Sequence, residues 1–116
     1  MPPVGPYTPV VRAGDWLIVS GQLGRTPDGE FVEGGVGPQT GQAIANIAEL
    51  LEGEGASLTN VVKTTVLLAS IEDYGTVNEA YVQAFGDHRP ARSAFATGGL
   101  PLAALVEIEA WAYAPR

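Results

Sequence analysis

The sequence has 116 residues, of which 46% are hydrophobic, and its formal net charge is −7 with only six lysines and arginines. This length and composition favour a single globular domain over residues 1–116, and the acidic balance argues against nucleic-acid binding because no basic stripe is present to neutralise phosphates. Because cysteine is absent, the apolar runs are short and no signal-peptide pattern opens the chain, we expect a cytoplasmic protein without membrane association or thiol chemistry.

The first nine residues contain four prolines, which predicts an extended arm rather than regular structure. Tyr7 is the one large side chain in this arm, and it either pins the arm by packing or presents its hydroxyl group to a pocket. Residues 10–13 and 16–20 predict two short strands in a hairpin. The second strand ends at Ser20-Gly21-Gln22, where a glycine often lets a ligand or another backbone come close.

The middle of the chain predicts a helix, a strand and a second helix. Residues 23–37 form a loop whose glycines are spaced too irregularly to cradle a phosphate. Apolar residues recur at helical spacing over residues 38–52 and again over residues 73–85, where Asp73 is a candidate cap and Asn78 borders the apolar stripe. Residues 61–69 are rich in β-branched side chains and predict a half-buried strand.

Two single residues have alternative interpretations. Lys63 is the only lysine; a catalytic amine is one interpretation, and a solvated charge on a strand is the favoured one. His88 is the only histidine and is interpreted as a surface turn residue between Gly86 and Pro90. No cluster of histidine, cysteine and aspartate has the spacing of metal ligands, so no metal site is predicted.

The last stretch, residues 90–116, predicts two strands joined by a Gly/Pro turn. The second strand alternates, so that Glu107 and Glu109 share one face. If Gly98 pairs with Leu105, Arg92 on the first strand lies diagonal to Glu109 on the same face, about 7–8 Å away. A structural ion pair and a ligand site both remain open for these groups.

The predicted order of elements is β-β-α-β-α-β-β. Hairpins at both ends and a central crossover predict an α+β fold with one mixed sheet and two helices on one face. The other face, which includes Leu105 and Trp111, is too apolar to be left to water, so we expect self-association into a closed homo-oligomer.

These segments, in this order, resemble the RidA family. The resemblance rests on Gly5-Pro6-Tyr7, Ser20-Gly21-Gln22, Val61-Val62-Lys63-Thr64-Thr65-Val66, Thr76-Val77-Asn78 with Tyr81, Pro90-Ala91-Arg92-Ser93, Leu100-Pro101 and Val106-Glu107-Ile108-Glu109-Ala110.

The resemblance implies a chorismate-mutase-like fold and a homotrimer with three clefts between subunits. It also implies 2-iminobutanoate/2-iminopropanoate deaminase activity, in which reactive imines and enamines are hydrolysed to 2-oxo acids and ammonia. The substrate is a small molecule, and neither a cofactor nor a metal is required.

The resemblance also implies roles for single residues. Arg92 matches the arginine that binds the substrate carboxylate, and Glu109 matches the acid that positions the water. Tyr7 and Ser20 match pocket positions, so Tyr7 is now expected at the cleft, and Asn78 matches an asparagine near it. Many members have cysteine where this chain has Ala94, whose main-chain groups remain able to bind substrate.

Two rival functions follow from the same residues. In the first, the chain is a non-catalytic trimeric binder or sensor of small carboxylates such as 2-oxo acids, with the same arginine holding the ligand. In the second, it is a ribonuclease or an inhibitor of translation, activities that are sometimes attributed to this family. The acidic balance and the lack of a cleavage cluster of histidine, lysine and arginine argue against the second.

Overall fold

The structure, a computed structural model, describes residues 3–116, so Met1 and Pro2 of the predicted arm lie outside the described residues. Its helices and strands follow the predicted order. They are β1 Val10–Ala13, β2 Trp16–Leu23, α1 Val36–Glu52, β3 Val61–Leu68, α2 Tyr74–Phe85, β4 Ala91–Ala96 and β5 Val106–Tyr113. No helix within residues 3–116 combines the length and the apolar character needed to cross a membrane.

The five strands form one mixed sheet in the order β1-β2-β5-β3-β4. The β1–β2 hairpin is present as predicted, with Val10 opposite Val19. Strand β5 pairs antiparallel with both β2 and β3, whereas β4 runs parallel to β3 at one edge of the sheet. The prediction of a mixed sheet is therefore confirmed.

The predicted hairpin of β4 and β5 is wrong, because β3 lies between them. Helix α2 carries the chain back along the sheet, so that β4 adds to β3 in parallel, as such crossovers require. Residues 97–105 then cross to the other edge of β3, where β5 pairs. The proposed pairing of Gly98 with Leu105 does not occur, because neither residue lies within a strand.

Alternation along β5 divides the sheet into two faces. Val106, Ile108, Ala110 and Ala112 are fully buried and face the helices, because successive side chains point to opposite sides. Both helices pack on this face, each fully buried aliphatic side chain contributing roughly 1.5–3 kcal/mol through its removal from water. The core includes Leu17, Val19, Ile44, Ile47, Leu51, Val66, Leu68, Val77 and Phe85.

The other side of the sheet, which we call the open face, carries an aromatic cluster. Trp16 lies edge-on to Trp111, with ring centres 6.2 Å apart, and to Tyr113, with ring centres 5.1 Å apart. These three side chains are 37%, 43% and 44% exposed. Adjacent exposed aromatic rings are typical of surfaces through which proteins associate, and the expected self-association stays a prediction.

Helix α2 begins slightly later than predicted, at Tyr74 rather than Asp73. Asp73 makes no side-chain capping hydrogen bond. Instead it ends a short 3-10 turn, Ile71–Asp73, whose first N–H groups are capped by Ser70: the hydroxyl oxygen accepts from the backbone N–H of Glu72 at 3.2 Å. This turn places Tyr74 in the first turn of α2.

Candidate active site

Arg92 is held by neutral groups on the helix side of the sheet. Its Nη2 donates to Asn78 Oδ1 at 2.8 Å and to the Tyr74 hydroxyl oxygen at 3.1 Å. Its guanidinium carbon lies 4.9 Å from the centre of the Tyr81 ring, a cation–π contact. None of these partners carries a negative charge. Among residues 3–116, Nε and Nη1 make no hydrogen bond, so these N–H groups can bind an anion.

The spacing of α2 explains how this arginine is held. Tyr74, Asn78 and Tyr81 follow one another by four and three residues, so they lie on one face of the helix, against β4. The Tyr81 hydroxyl group is fixed by a buried hydrogen bond of 2.7 Å to Thr64 Oγ1. Burial raises the pKa of Tyr81, so its ring remains a neutral platform beneath the guanidinium.

A β-bulge in β2 forms a second group of candidate residues. Val19 pairs with Ala110 and Gln22 pairs with Ile108, so that Ser20 and Gly21 together oppose Glu109. The sequence predicted that the strand ends at Ser20-Gly21-Gln22, but β2 continues through this bulge to Leu23. Bulges of this kind redirect side chains and are frequent beside active sites.

The bulge also binds the N-terminal arm. The backbone N–H of Ser20 donates to the carbonyl oxygen of Pro9 at 2.8 Å, and its hydroxyl group donates to the carbonyl oxygen of Thr8 at 2.7 Å. The adjacent Tyr7 ring lines a cavity of about 370 Å³ together with Gly21 and Leu50. Ser20 thus brings Tyr7 to the bulge.

Glu107 lies against the same bulge. A Cβ atom placed on Gly21 would stand 2.0 Å from Glu107 Oε2, so the carboxylate occupies the space that a side chain would take. Burial raises the pKa of Glu107, and the negative charge of Glu109 raises it further. A carboxyl group that holds its proton to a higher pH than usual is suited to acid–base chemistry.

The two groups lie apart within one chain. Arg92 and Asn78 lie on the helix side at β4, with Ala94 on the same side of that strand. The group at the bulge lies at β2 and β5, which are three and two strand spacings, or roughly 14 Å and 10 Å, from β4. Glu109 is on the open face in register with Thr65, whereas Arg92 is in register with Thr64 and has the opposite orientation. The predicted diagonal pair of Arg92 and Glu109 is therefore wrong.

Comparison with known proteins identifies the family. Residues 1–114 match the family model described as Endoribonuclease L-PSP. The human 2-iminobutanoate/2-iminopropanoate deaminase is 46% identical over 108 residues, which cover 92% of this chain and 79% of the human protein. The chain belongs to the RidA family.

Solved RidA-family structures have the same fold. RidA from the Antarctic bacterium Psychrobacter sp. PAMC 21119 superposes with a TM-score of 0.92 at 37% identity, covering 97% of this chain and 91% of that one. Escherichia coli TdcF, solved with bound serine, superposes with a TM-score of 0.90 at 32% identity, covering 96% and 90% of the two chains. The predicted RidA-like fold is confirmed.

Three residues of the two groups described above were not predicted as part of the site. They are Glu107, Tyr74 and Tyr81. Glu107 shares the alternating face of Glu109, and a Ser-Gly pair inside a strand signals a bulge that brings a backbone close to it. Tyr74 lies one helical turn before Asn78, and Tyr81 lies about one turn after it. Helical spacing alone therefore indicates that the three residues share a face. The contacts of their side chains required the structure.

Lys63 and His88 lie outside both groups. Lys63 Nζ donates to Ser93 Oγ at 2.8 Å, as a polar group on the sheet surface. His88 is half-buried in the turn before β4 and its Nε2 lies 2.7 Å from the carbonyl oxygen of Val61, so this turn residue also links the turn to β3. Within residues 3–116, no group of three or more histidine, aspartate or glutamate side chains is placed to hold a metal ion.

The contact at Gly21 yields a test. Gly21→Ala should leave the free energy of unfolding almost unchanged, because the carboxylate at the end of a flexible side chain can rotate away. It should lower kcat for imine hydrolysis about tenfold, since Glu107 then leaves its position. Gly41→Ala is the matched control, because a Cβ there meets nothing within 4 Å. Equal loss in both variants, or none in Gly21→Ala, would contradict the role of this contact.

Proposed function

We propose that this RidA-family protein hydrolyses reactive 2-imino and 2-enamino acids, 2-iminobutanoate and 2-iminopropanoate among them, to 2-oxo acids and ammonia. The observation that carries the proposal is the Arg92 guanidinium, whose contacts are all neutral and whose Nε and Nη1 make no hydrogen bond within residues 3–116. A part-buried guanidinium that is held by neutral side chains and keeps N–H groups free is suited to binding a small carboxylate. The names of the human, bovine and rat relatives support the same activity.

The proposal includes a homotrimer with a cleft at each of three subunit interfaces. Two features support it: the two groups of site residues are separated within one chain, and the open face carries exposed aromatic rings. Burying Trp16, Trp111 and Tyr113 against neighbouring copies removes a large apolar area from water. In such an assembly, Arg92 of one subunit faces the bulge of the next.

The chemistry consumes one water molecule and moves both of its protons to the departing nitrogen. Arg92 binds the substrate carboxylate and so fixes the C=N carbon beside Glu107. Glu107 takes a proton from water as the oxygen adds to the carbon of the protonated imine, which gives a neutral tetrahedral carbinolamine. The same carboxyl group then gives this proton to the nitrogen and, as the carboxylate, takes the hydroxyl proton while the C=O bond forms and the C–N bond breaks. Ammonia leaves and accepts that second proton as ammonium, which returns Glu107 to its ionised form. No cofactor enters these steps.

Glu107 takes this role in the proposal in place of Glu109. Its contact with Gly21 and its raised pKa both support this assignment. Glu109, two residues along the same face, acts by raising the pKa of Glu107. Tyr7, Ser20, Asn78 and the main chain of Ala94 complete the walls of the cleft.

The proposal also covers the domain organisation, the compartment and the class of substrate. The chain forms one RidA-like domain over residues 1–116. It acts in the cytoplasm, a reducing compartment that suits a sequence without cysteine. The net charge of −7 supports a small-molecule substrate rather than RNA, because phosphate backbones are bound by basic surfaces.

The direct test is the rate of imine loss. A threonine dehydratase supplies 2-iminobutanoate, and semicarbazide traps whatever imine remains. The wild-type protein should reduce the trapped fraction in proportion to its concentration and release 2-oxobutanoate and ammonia in equal amounts. A trapped fraction that does not change with added protein would overturn the proposal.

The second candidate is a binder of small carboxylates without catalysis. It is supported by the structure of Escherichia coli TdcF, which holds serine, a small carboxylate that is not an imine. Saturable binding of 2-oxobutanoate with no acceleration of imine loss would favour this function over the deaminase.

A further inference from the structure

None of the roles proposed above uses the hydroxyl group of Tyr74. This residue is 41% exposed, and its hydroxyl oxygen accepts a hydrogen bond from Arg92 Nη2 at 3.1 Å. A phenol that accepts in this way still has its own O–H to donate. That proton therefore lies beside the guanidinium with no partner of its own among residues 3–116.

We infer that Tyr74 is a substrate-positioning residue that donates its O–H to the carboxylate bound by Arg92, so that a phenol and a guanidinium together form the carboxylate site. This inference rests on the proposed function, because it takes Arg92 as the carboxylate ligand. The substrate class it specifies is a compound with a free carboxylate next to the reacting carbon.

The way in which Arg92 is held makes a second donor necessary. Both hydrogen bonds to the protein come from Nη2, one to Tyr74 and one to Asn78. Because an Nη group has two hydrogens, Nη2 has no N–H left, and the usual pair of parallel N–H groups is incomplete. A carboxylate that accepts from Nη1 leaves its second oxygen near the Nη2 side, where the Tyr74 O–H is the adjacent donor.

The ring of Tyr74 has a separate part in the same site. Its centre lies 5.6 Å from the guanidinium carbon of Arg92, and the Tyr81 ring lies at 4.9 Å. The two rings together limit the movement of the guanidinium group, while only Tyr74 directs an accessible hydroxyl group to it. The hydroxyl of Tyr81 is already bound to Thr64 in the core.

Tyr74→Phe tests the hydroxyl group alone, because the ring and its cation–π contact remain. We expect KM for 2-iminobutanoate to rise about tenfold with kcat within about twofold of wild type, since one charge-assisted hydrogen bond is lost from binding. The Kd for 2-oxobutanoate, which binds without reacting, should rise by the same factor. The control is Thr59→Val, which removes an exposed hydroxyl group outside both groups of site residues and should change neither constant.

The possible outcomes distinguish a failure of this inference from a failure of the proposed deaminase activity. Unchanged KM and Kd in Tyr74→Phe overturn the inference, and so does a fall in kcat with KM unchanged, because the hydroxyl group would then act in the reaction and not in binding. If wild type binds 2-oxobutanoate but does not accelerate imine loss, the proposed deaminase fails. The Kd of Tyr74→Phe still decides the inference in that case.

Discussion

Arg92→Ala will lower kcat/KM for 2-iminobutanoate by about a hundredfold to a thousandfold, or roughly 3–4 kcal/mol, because the substrate carboxylate loses its charged hydrogen-bond donor. Saturable binding of 2-oxobutanoate will be lost in parallel. Arg92→Lys keeps the charge but not the planar group, so its activity will be intermediate. The measurement is the semicarbazide assay with dehydratase-supplied imine.

A matched arginine provides the control for this change. Arg89 is exposed and donates to the carbonyl oxygens of Gly86 and His88 in the turn before β4. Arg89→Ala removes the same positive charge from the protein and should retain wild-type activity. Light scattering checks that both variants keep the oligomeric state of wild type. Equal activity of Arg92→Ala and wild type would remove the basis of the proposed function.

Glu107→Gln will lower kcat by about a hundredfold or more, because an amide of the same shape can neither accept nor deliver the proton. KM will change little, since the carboxylate of the substrate is bound elsewhere. Glu109→Gln is the matched comparison on the same strand face, and it should keep a much larger share of kcat. The reverse order of the two variants would assign the water-positioning role to Glu109, as the family resemblance implies.

The pH dependence follows from the direction of the pKa shift. Burial is the larger cause of the raised pKa of Glu107, and the negative charge of Glu109 raises this pKa further. The ionised form acts as the base, so activity falls as the pH drops through this raised pKa. Removing the charge of Glu109 lowers the pKa of Glu107, so the acid limb of Glu109→Gln should move to lower pH.

Local patterns predicted the elements well. The helical spacing over residues 38–52 and 73–85 and the alternation of β5 each correspond to an observed helix or strand. In these segments the hydrophobic period and the buried face agree, so local sequence is sufficient. The open face was also predictable, since Trp111 shares a side of β5 with two carboxylates.

Strand pairing was the part that local sequence could not supply. A short Gly/Pro connection favours a hairpin of β4 and β5, but the crossover through α2 gives β4 the free edge of β3. This non-local competition decides which strands are neighbours. The error reversed the orientation of Arg92 relative to Glu109, and so misplaced the predicted ion pair.

The candidate site was predictable by residue type more than by geometry. Arg92 and Asn78 were expected near the cleft, and they form a hydrogen bond. Glu109 was preferred to Glu107 because the family resemblance assigns it the acid role, and alternation alone places both carboxylates on one face. Only the bulge at Ser20 and Gly21 distinguishes them, and a bulge depends on the register between β2 and β5.

The central claim is that each site is assembled from two copies of the chain, with Arg92 from one and Glu107 from its neighbour. The most direct measurement is the activity of Arg92→Ala and Glu107→Gln subunits unfolded together in equal amounts and refolded as mixed oligomers. Random assembly into a closed ring leaves about one site in four with both residues intact, so about a quarter of wild-type activity should return, whereas each variant refolded alone stays inactive. A mixture as inactive as its two components would contradict the claim.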